Sequence, residues 1–262
     1  MIYIVSVTFN DAKNLRRTLE SVRRFKKSYQ RCVVIDGGSR DGTLALLHEF
    51  ADIIDFSLSE PDRGIYDAMN KSLRIPGLRD DDYLIWINGG DELIEWPEAL
   101  PQEIAKFDCA FCGVNLGVAG GNLPHFEKVD IRLPYDERTF SPISKFWHQG
   151  FFIRVDKFRT EPYDITVGIQ AENLMMSRAI RGLRWQVFQL PVANFYAGGI
   201  SSRYFPLFVS WIKAARKLDF SMWRVAWYQR VFILKQLIKM FLPSEFVYRY
   251  TLKRCELRGR VK

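Results

Sequence analysis

Cysteine is scarce, with four residues in 262 at Cys32, Cys109, Cys112 and Cys255. They are scattered, and Cys32 and Cys109 fall in apolar, strand-like runs where a free thiol behaves as a small hydrophobe. That distribution fits a reducing, cytoplasmic setting. Cys109 and Cys112 form a C-x-x-C, but no second pair follows at finger spacing, and zinc needs further ligands. No uncharged apolar run reaches the roughly 18 to 20 residues that a membrane-spanning helix requires. The opening Met1-Ile2-Tyr3-Ile4-Val5 has no basic leader and no small-residue cleavage site, so a secretion signal is not expected. Low-complexity sequence is sparse and hydrophobic residues make up 48% of the chain, which excludes disorder as the main state.

Charge is present but unevenly placed. The net +8 conceals a tail, residues 201–262, with 14 Lys/Arg against 3 Asp/Glu. The remaining 200 residues carry 24 against 27. In that larger part, short β-rich runs alternate with helical patterns. The runs are Ile2–Phe9, Cys32–Ile35, Ile53–Leu58 and Tyr83–Ile87. Between the first two, Leu15, Leu19 and Val22 recur at helical spacing behind a capping Asn10 or Asp11; between the next two, Asp41-Gly42-Thr43 opens a helix carrying Leu44, Leu47 and Phe50. This is a βαβ layout, predicting an α/β fold with a mostly parallel, Rossmann-like sheet. Further runs at Ala110–Leu116, Gly150–Arg154, Trp185–Phe188 and Val192–Tyr196 predict a second half that completes the sheet and faces an acceptor.

Ligands of open parallel sheets bind beyond the carboxyl ends of the strands. Three small, polar segments fall there: Thr8-Phe9-Asn10, Asp36-Gly37-Gly38-Ser39 and Asn88-Gly89-Gly90-Asp91. Asp36 at a strand end can accept hydrogen bonds from a base or ribose, or it can simply stabilise a tight turn. Asp91 is suited to a hard divalent cation shared with substrate phosphates; a plain turn is the alternative. Between them lies Ser59-Glu60-Pro61-Asp62-Arg63-Gly64-Ile65-Tyr66-Asp67-Ala68-Met69-Asn70-Lys71. Asp67, Asn70 and Lys71 share nearly one helical face, and Arg63 and Lys71 have the charge to meet a diphosphate. A solvated helix start explains the charges too, but not why Asn70 follows an apolar Ala68-Met69 step.

Taken together, residues 34–43 and 59–71 resemble the family-2 glycosyltransferases of the GT-A fold, and most closely their bacterial exopolysaccharide, colanic-acid-type branch. The likeness continues through His148-Gln149, through Ala171-Glu172-Asn173 with Arg178, and through Gly198-Gly199-Ile200-Ser201. It therefore spans about residues 1–202, as a nucleotide-sugar half (1–92) and an acceptor half (93–202). It departs at Asn88-Gly89-Gly90-Asp91, where many relatives carry two or three aspartates, and at Glu172, where Asp is commoner.

The resemblance implies an inverting transfer from a nucleotide-sugar, UDP-linked by expectation, to a saccharide or polyprenyl-linked saccharide. It implies Glu172 as general base and a Mg²⁺ or Mn²⁺ held by Asp91. Thr8, Asn10, Asp36, Asp62, Arg63, Asp67, Asn70, Lys71, Asn88 and Gly89 would form the donor side, with His148, Gln149 and Arg178 on the acceptor side. His148 lines the acceptor or approaches the metal; a histidine bonded within a strand edge is the bland alternative.

Two rivals remain. A sugar-1-phosphate nucleotidyltransferase would show a glycine-rich loop after the first strand, where this chain reads Thr8-Phe9-Asn10-Asp11-Ala12-Lys13. A non-catalytic membrane-surface module would use the tail, residues 203–262, where Trp223, Trp227, Val231, Leu234, Ile238 and Phe241 recur at helical spacing. The same stripe could instead cap the catalytic core. Its aromatics are segregated from Arg224, Lys235 and Lys239, which argues against nucleic acid. A peripheral place at the inner face of the cytoplasmic membrane is consistent with that pattern.

Overall fold

A computed structural model describes residues 1–118, 125–133, 135–136, 138–140, 146–197, 204–228, 230 and 234. The expected Gly198–Ser201 element and the stripe residues Val231, Ile238 and Phe241 lie outside the described residues.

Four parallel strands start the sheet: β1 (Ile2–Thr8), β2 (Gln30–Asp36), β3 (Ile54–Ser59) and β4 (Tyr83–Trp86). Helices α1 (Ala12–Phe25), α2 (Thr43–Glu49) and the short α3 (Ile65–Asn70) connect them, and a 3-10 turn at Lys71–Arg74 extends α3. Each strand falls within two residues of its expected run. The second half adds β5 (Glu92–Leu93), α4 (Leu100–Ile104), β6 (Cys109–Val118), β7 (His125–Glu127), β8 (Phe151–Arg154), α5 (Val155–Thr160), α6 (Ala171–Gly182), β9 (Trp185–Ala197) and α7 (Tyr204–Lys217). Among the described residues the strand order is β3-β2-β1-β4-β8-β6-β9-β5, with β7 on β6.

The parallel expectation describes the first half. Beyond β4, β8 pairs antiparallel with both β4 and β6, while β6 and β9 pair in parallel. The two runs expected at 185–188 and 192–196 are one strand, β9. The break between them is a register irregularity where Gly113 faces Pro191, a proline that cannot donate to the ladder.

Strand alternation sends successive residues to opposite faces. Ile4, Cys32, Val34 and Ile85 pack under Leu15, Leu19 and Val22 of α1, Leu46 of α2 and Phe50 just beyond it. Val5, Val33, Ile35 and Trp86 pack with Met69, Phe158, Met175 and Met176 on the other face. In α2 it is Leu46, not Leu44, that faces the core, because the helix begins at buried Thr43 and Leu44 is 43% exposed. Cys109 belongs to one face's cluster and Cys112 to the other's. Residues three apart in a strand diverge, so the C-x-x-C cannot converge on one ion, and burial pushes both thiols up.

The tail begins as part of the protein. Trp211, Ala214, Ala215 and Leu218 form a third cluster with Leu174 of α6 and with Phe140 and Val167. Helix α6 is thus covered on two sides, by the sheet and by α7. Among the described residues no helix is long and apolar enough to cross a membrane.

Candidate active site

Strand register brings the three expected polar segments to one edge. Thr8 pairs with Asp36 and Asp36 with Ser59, while the Gly89 N–H bonds the Val7 carbonyl at 3.3 Å. The edge is then tightened by close approaches. A Cβ on Gly37 would stand 2.5 Å from Asp62 Oδ2 and 3.1 Å from the Phe9 ring, so any larger residue would displace the Asp62 carboxylate and crowd Phe9. Phe9 itself is 61% exposed, an aromatic face left open at the carboxyl end of β1. Sequence reasoning passed over it because an exposed phenylalanine carries no titratable chemistry.

Most polar side chains of the recognisable segments are bound to the protein itself. Asp36 is fully buried and accepts from Ser39 N at 2.9 Å, the Ser39 hydroxyl, and Ser59 Oγ at 2.6 Å. Asn10, at a left-handed φ of 49°, donates its N–H to Ser39 Oγ and accepts from Arg40 N. Asn70 bridges the backbone of Tyr163 twice, donating to its carbonyl and accepting from its N–H, both at 2.9 Å. Ala68 and Met69 are buried while Asn70 ties the loop, which accounts for that polar residue after an apolar step. Lys71 donates to the Pro61 carbonyl at 2.7 Å and pairs with Glu60. Arg63 is paired with Asp67 but stays mostly exposed, and its guanidinium holds the Asp67 carboxyl below its usual range. Asp62 accepts from Gly64 N with one oxygen, leaving Oδ2 over Gly37.

The Asn88–Asp91 loop is clamped from α1. The buried hydroxyl of Thr18 lies 3.1 Å from the Asn88 carbonyl and 2.6 Å from that of Asp91, and it accepts from Gly90 N. Arg17 bonds the Gly90 carbonyl and stacks over Tyr196 at 4.3 Å. Gly90 needs its glycine, with φ at 104°. The sequence signal was Thr18 itself, a hydroxyl on the apolar face of Leu15, Leu19 and Val22.

A 3-10 turn at His148–Gly150, just before β8, joins the two halves. It sits so close to β6 that a Cβ on Gly150 would lie 2.1 Å from the Cys112 carbonyl oxygen. His148 Nδ1 is 2.7 Å from Glu172 Oε2 and its Nε2 is 2.9 Å from Asn88 Nδ2. One proton arrangement satisfies both contacts: Nδ1–H donates to the carboxylate and Nε2 accepts from the amide. Burial opposes a charged ring, but the charge and hydrogen bond of Glu172, with Asp91 behind, outweigh it and raise the His148 pKa.

The next residue, Gln149, donates to Asp91 Oδ2 at 2.8 Å. Burial pushes Asp91 up to about 6 against the pull of Gln149, His148, Tyr196 N and Arg17. Glu172 stands in the first turn of α6, where the helix dipole favours a negative charge, and its side chain keeps 25% exposure. Burial and then the Glu172 charge raise Tyr66 and Tyr163. Neither tyrosine stood out in the sequence.

Beside the unpartnered Thr8 hydroxyl, two buried amide oxygens here have no partner among the described residues, Asn88 Oδ1 and Gln149 Oε1. Both are acceptors, and they flank a buried carboxylate. No group of three or more His, Cys, Asp or Glu side chains is placed to cage a metal among the described residues. A hard cation held here would take Asp91 and Asn88 Oδ1 and complete its shell with phosphate and water oxygens. Arg178 is not in this cluster: it pairs with Glu161 at 2.7 Å, about 9 Å farther along α6 at 1.5 Å per residue.

With this edge in place, the model of glycosyl transferase family 2 matches residues 3–184. The chain belongs to that family. An uncharacterised glycosyltransferase of Mycobacterium tuberculosis is 26% identical over 210 residues, 78% of each chain. A PGL/p-HBAD biosynthesis glycosyltransferase of Mycobacterium bovis is 33% identical over 98 residues, 36% of this chain and 37% of its own. The fold of this family-2 glycosyltransferase is that of solved GT-A enzymes. Residues 1–349 of S. aureus TarS, in complex with UDP-GlcNAc, match with a TM-score of 0.58 at 16% identity, over 77% of this chain and 60% of that one. The mannosyltransferase PcManGT of Pyrobaculum calidifontis, in complex with GDP-Man and Mn²⁺, matches with a TM-score of 0.51 at 15% identity, over 96% and 79%.

Proposed function

We propose that this protein transfers a sugar, with inversion, from a nucleotide-sugar to an acceptor hydroxyl, using Glu172 as general base and the Asn88–Asp91 loop at the diphosphate. One observation carries the proposal: adjacent residues of a single turn, His148 and Gln149, hold Glu172 and Asp91 respectively. In this reading one turn holds both the base for the attacking hydroxyl and the carboxylate for the leaving group.

His148 holds Oε2 of Glu172, and the carboxylate it steadies takes the acceptor's proton as the hydroxyl attacks the anomeric carbon. A single displacement needs no covalent intermediate and inverts the centre. Asp91 and Asn88 Oδ1 would hold a Mg²⁺ or Mn²⁺, whose charge neutralises the departing nucleoside diphosphate when bound. Asn88 and Gln149, each with an open oxygen, fit that ligand set; membership in the family and the Mn²⁺ bound by PcManGT support it. Phe9 offers a face on which the nucleobase stacks, beside Asp62 Oδ2. Arg63, mostly exposed, would exchange its Asp67 partner for phosphate, whereas Lys71 is committed to the loop it braces. A UDP-linked donor is supported by the UDP-GlcNAc and UDP bound to TarS. A bacterial surface-glycan acceptor, saccharide or polyprenyl-linked, is supported by the resemblance of residues 34–43 and 59–71 and by a relative named for PGL/p-HBAD biosynthesis.

The test is a screen of UDP- and GDP-sugars for release of UDP or GDP, with and without EDTA, followed by assignment of the product's anomeric configuration by NMR. Metal-dependent release of the nucleoside diphosphate and an inverted linkage are expected. Pyrophosphate release, or a retained configuration, would refute the proposal.

A further inference from the structure

Residues 222–228, continued by Arg230, form a helix that holds to the protein along a narrow strip. Val225 is fully buried and Met222 half-buried, both against the cluster built by Trp211, Leu218 and Phe220. The rest faces outward. Trp223 is 88% exposed and Trp227 is 65% exposed; four residues apart, they lie on one helical face. Leu234 is also exposed, at 58%. These tryptophans therefore do not cap the core.

Such a patch calls for a partner. Its charge says which. From Phe220 to Ser244 the sequence contains no acidic residue, whereas Arg224, Arg230, Lys235 and Lys239 are basic. Indoles settle at the headgroup level of a bilayer and guanidinium groups pair with lipid phosphates, so exposed tryptophan beside arginines that form no ion pair among the described residues matches an anionic membrane surface. A nucleic acid strand would need aromatic faces free for stacking, and the Arg230 guanidinium already lies 4.7 Å over the Trp227 ring.

We propose that the Trp223–Trp227 face docks the enzyme onto a bilayer surface rich in anionic phospholipid. The inference stands on exposure and charge, and it holds whichever sugar is transferred. Docking also reaches the catalytic region through packing. Ser210 of α7 accepts from Gln170 N at 2.8 Å, and Lys217 pairs with Asp164 at 3.1 Å, so the helix next to the membrane-facing one secures the loop that leads into Glu172.

The test is co-sedimentation of the full chain with vesicles of phosphatidylcholine alone or mixed with phosphatidylglycerol, comparing wild type with Trp223→Ala/Trp227→Ala. Wild type should bind the mixed vesicles in a salt-sensitive way, and brominated phosphatidylcholine in those vesicles should quench its tryptophan fluorescence. The double variant should bind at least about tenfold more weakly, since indole burial supplies much of the affinity, and should melt at an unchanged temperature. Failure of wild type to sediment with the mixed vesicles, or undiminished binding by the double variant, would overturn the proposal. So would binding to poly(U) that is tighter than binding to vesicles.

Discussion

Residues 59–71 and the turn at His148–Gln149 both carry polar side chains to the carboxyl edge of the sheet, but they use them differently. In the first, Glu60, Asn70 and Lys71 bond to loop carbonyls, to each other and to the backbone of Tyr163. In the second, His148 and Gln149 bond to the two carboxylates proposed for the chemistry and leave the Gln149 oxygen open. A long, distinctive motif here builds the frame, while a dipeptide of no great distinctiveness couples the two carboxylates. Polar density alone therefore does not locate chemistry; what matters is where hydrogen-bonding capacity remains unfilled.

Substitutions can break that contrast. Glu172→Gln aside, the largest effect should come from Asp91→Asn, which keeps the shape and removes the charge. We expect kcat/KM at saturating metal to fall about a hundredfold to a thousandfold, the scale of losing a metal's stabilisation of transition-state charge. A loss under about threefold, measured by UDP release, would remove Asp91 from the leaving-group side.

His148→Ala should be milder. With Glu172 no longer oriented, kcat should fall about tenfold to a hundredfold while donor KM changes little. An effect confined to KM would place His148 in donor binding instead.

Asn70→Ala should act on stability. Losing two hydrogen bonds to the Tyr163 backbone costs about 1–3 kcal/mol, which lowers the melting temperature by roughly 2–12 °C for a domain of this size. Turnover at 25 °C should stay within about threefold, because the frame is still populated. A large kcat loss at unchanged melting temperature would move Asn70 out of the frame and into the site.

Much of the frame was legible from local pattern. The alternation of the first four strands and the Leu15–Leu19–Val22 stripe of α1 follow from periods of two and 3.6, which need no knowledge of distant residues. The shared edge of the three polar segments followed as well, since the carboxyl ends of parallel strands converge by construction. The antiparallel entry of β8 did not, because pairing across residues 84 and 153 is a tertiary choice. Nor did the commitments of Asp36, Asn70 and Lys71. A sequence reveals that a side chain can bond but not which partner it has found. Glu172 stood out only by family register; its link through His148 to Asn88 joins residues 60 and 24 positions apart. Phe9, Tyr66 and Tyr163 were invisible as site residues, because their contribution is exposure or burial and not charge.

The most direct test separates binding from chemistry. Glu172→Gln should bind the active nucleotide-sugar, with Mn²⁺ or Mg²⁺, as tightly as wild type by calorimetry, yet turn over about a hundredfold to ten-thousandfold more slowly, the range that general-base catalysis supplies. Near-normal turnover by that variant would contradict the assignment of Glu172 as base.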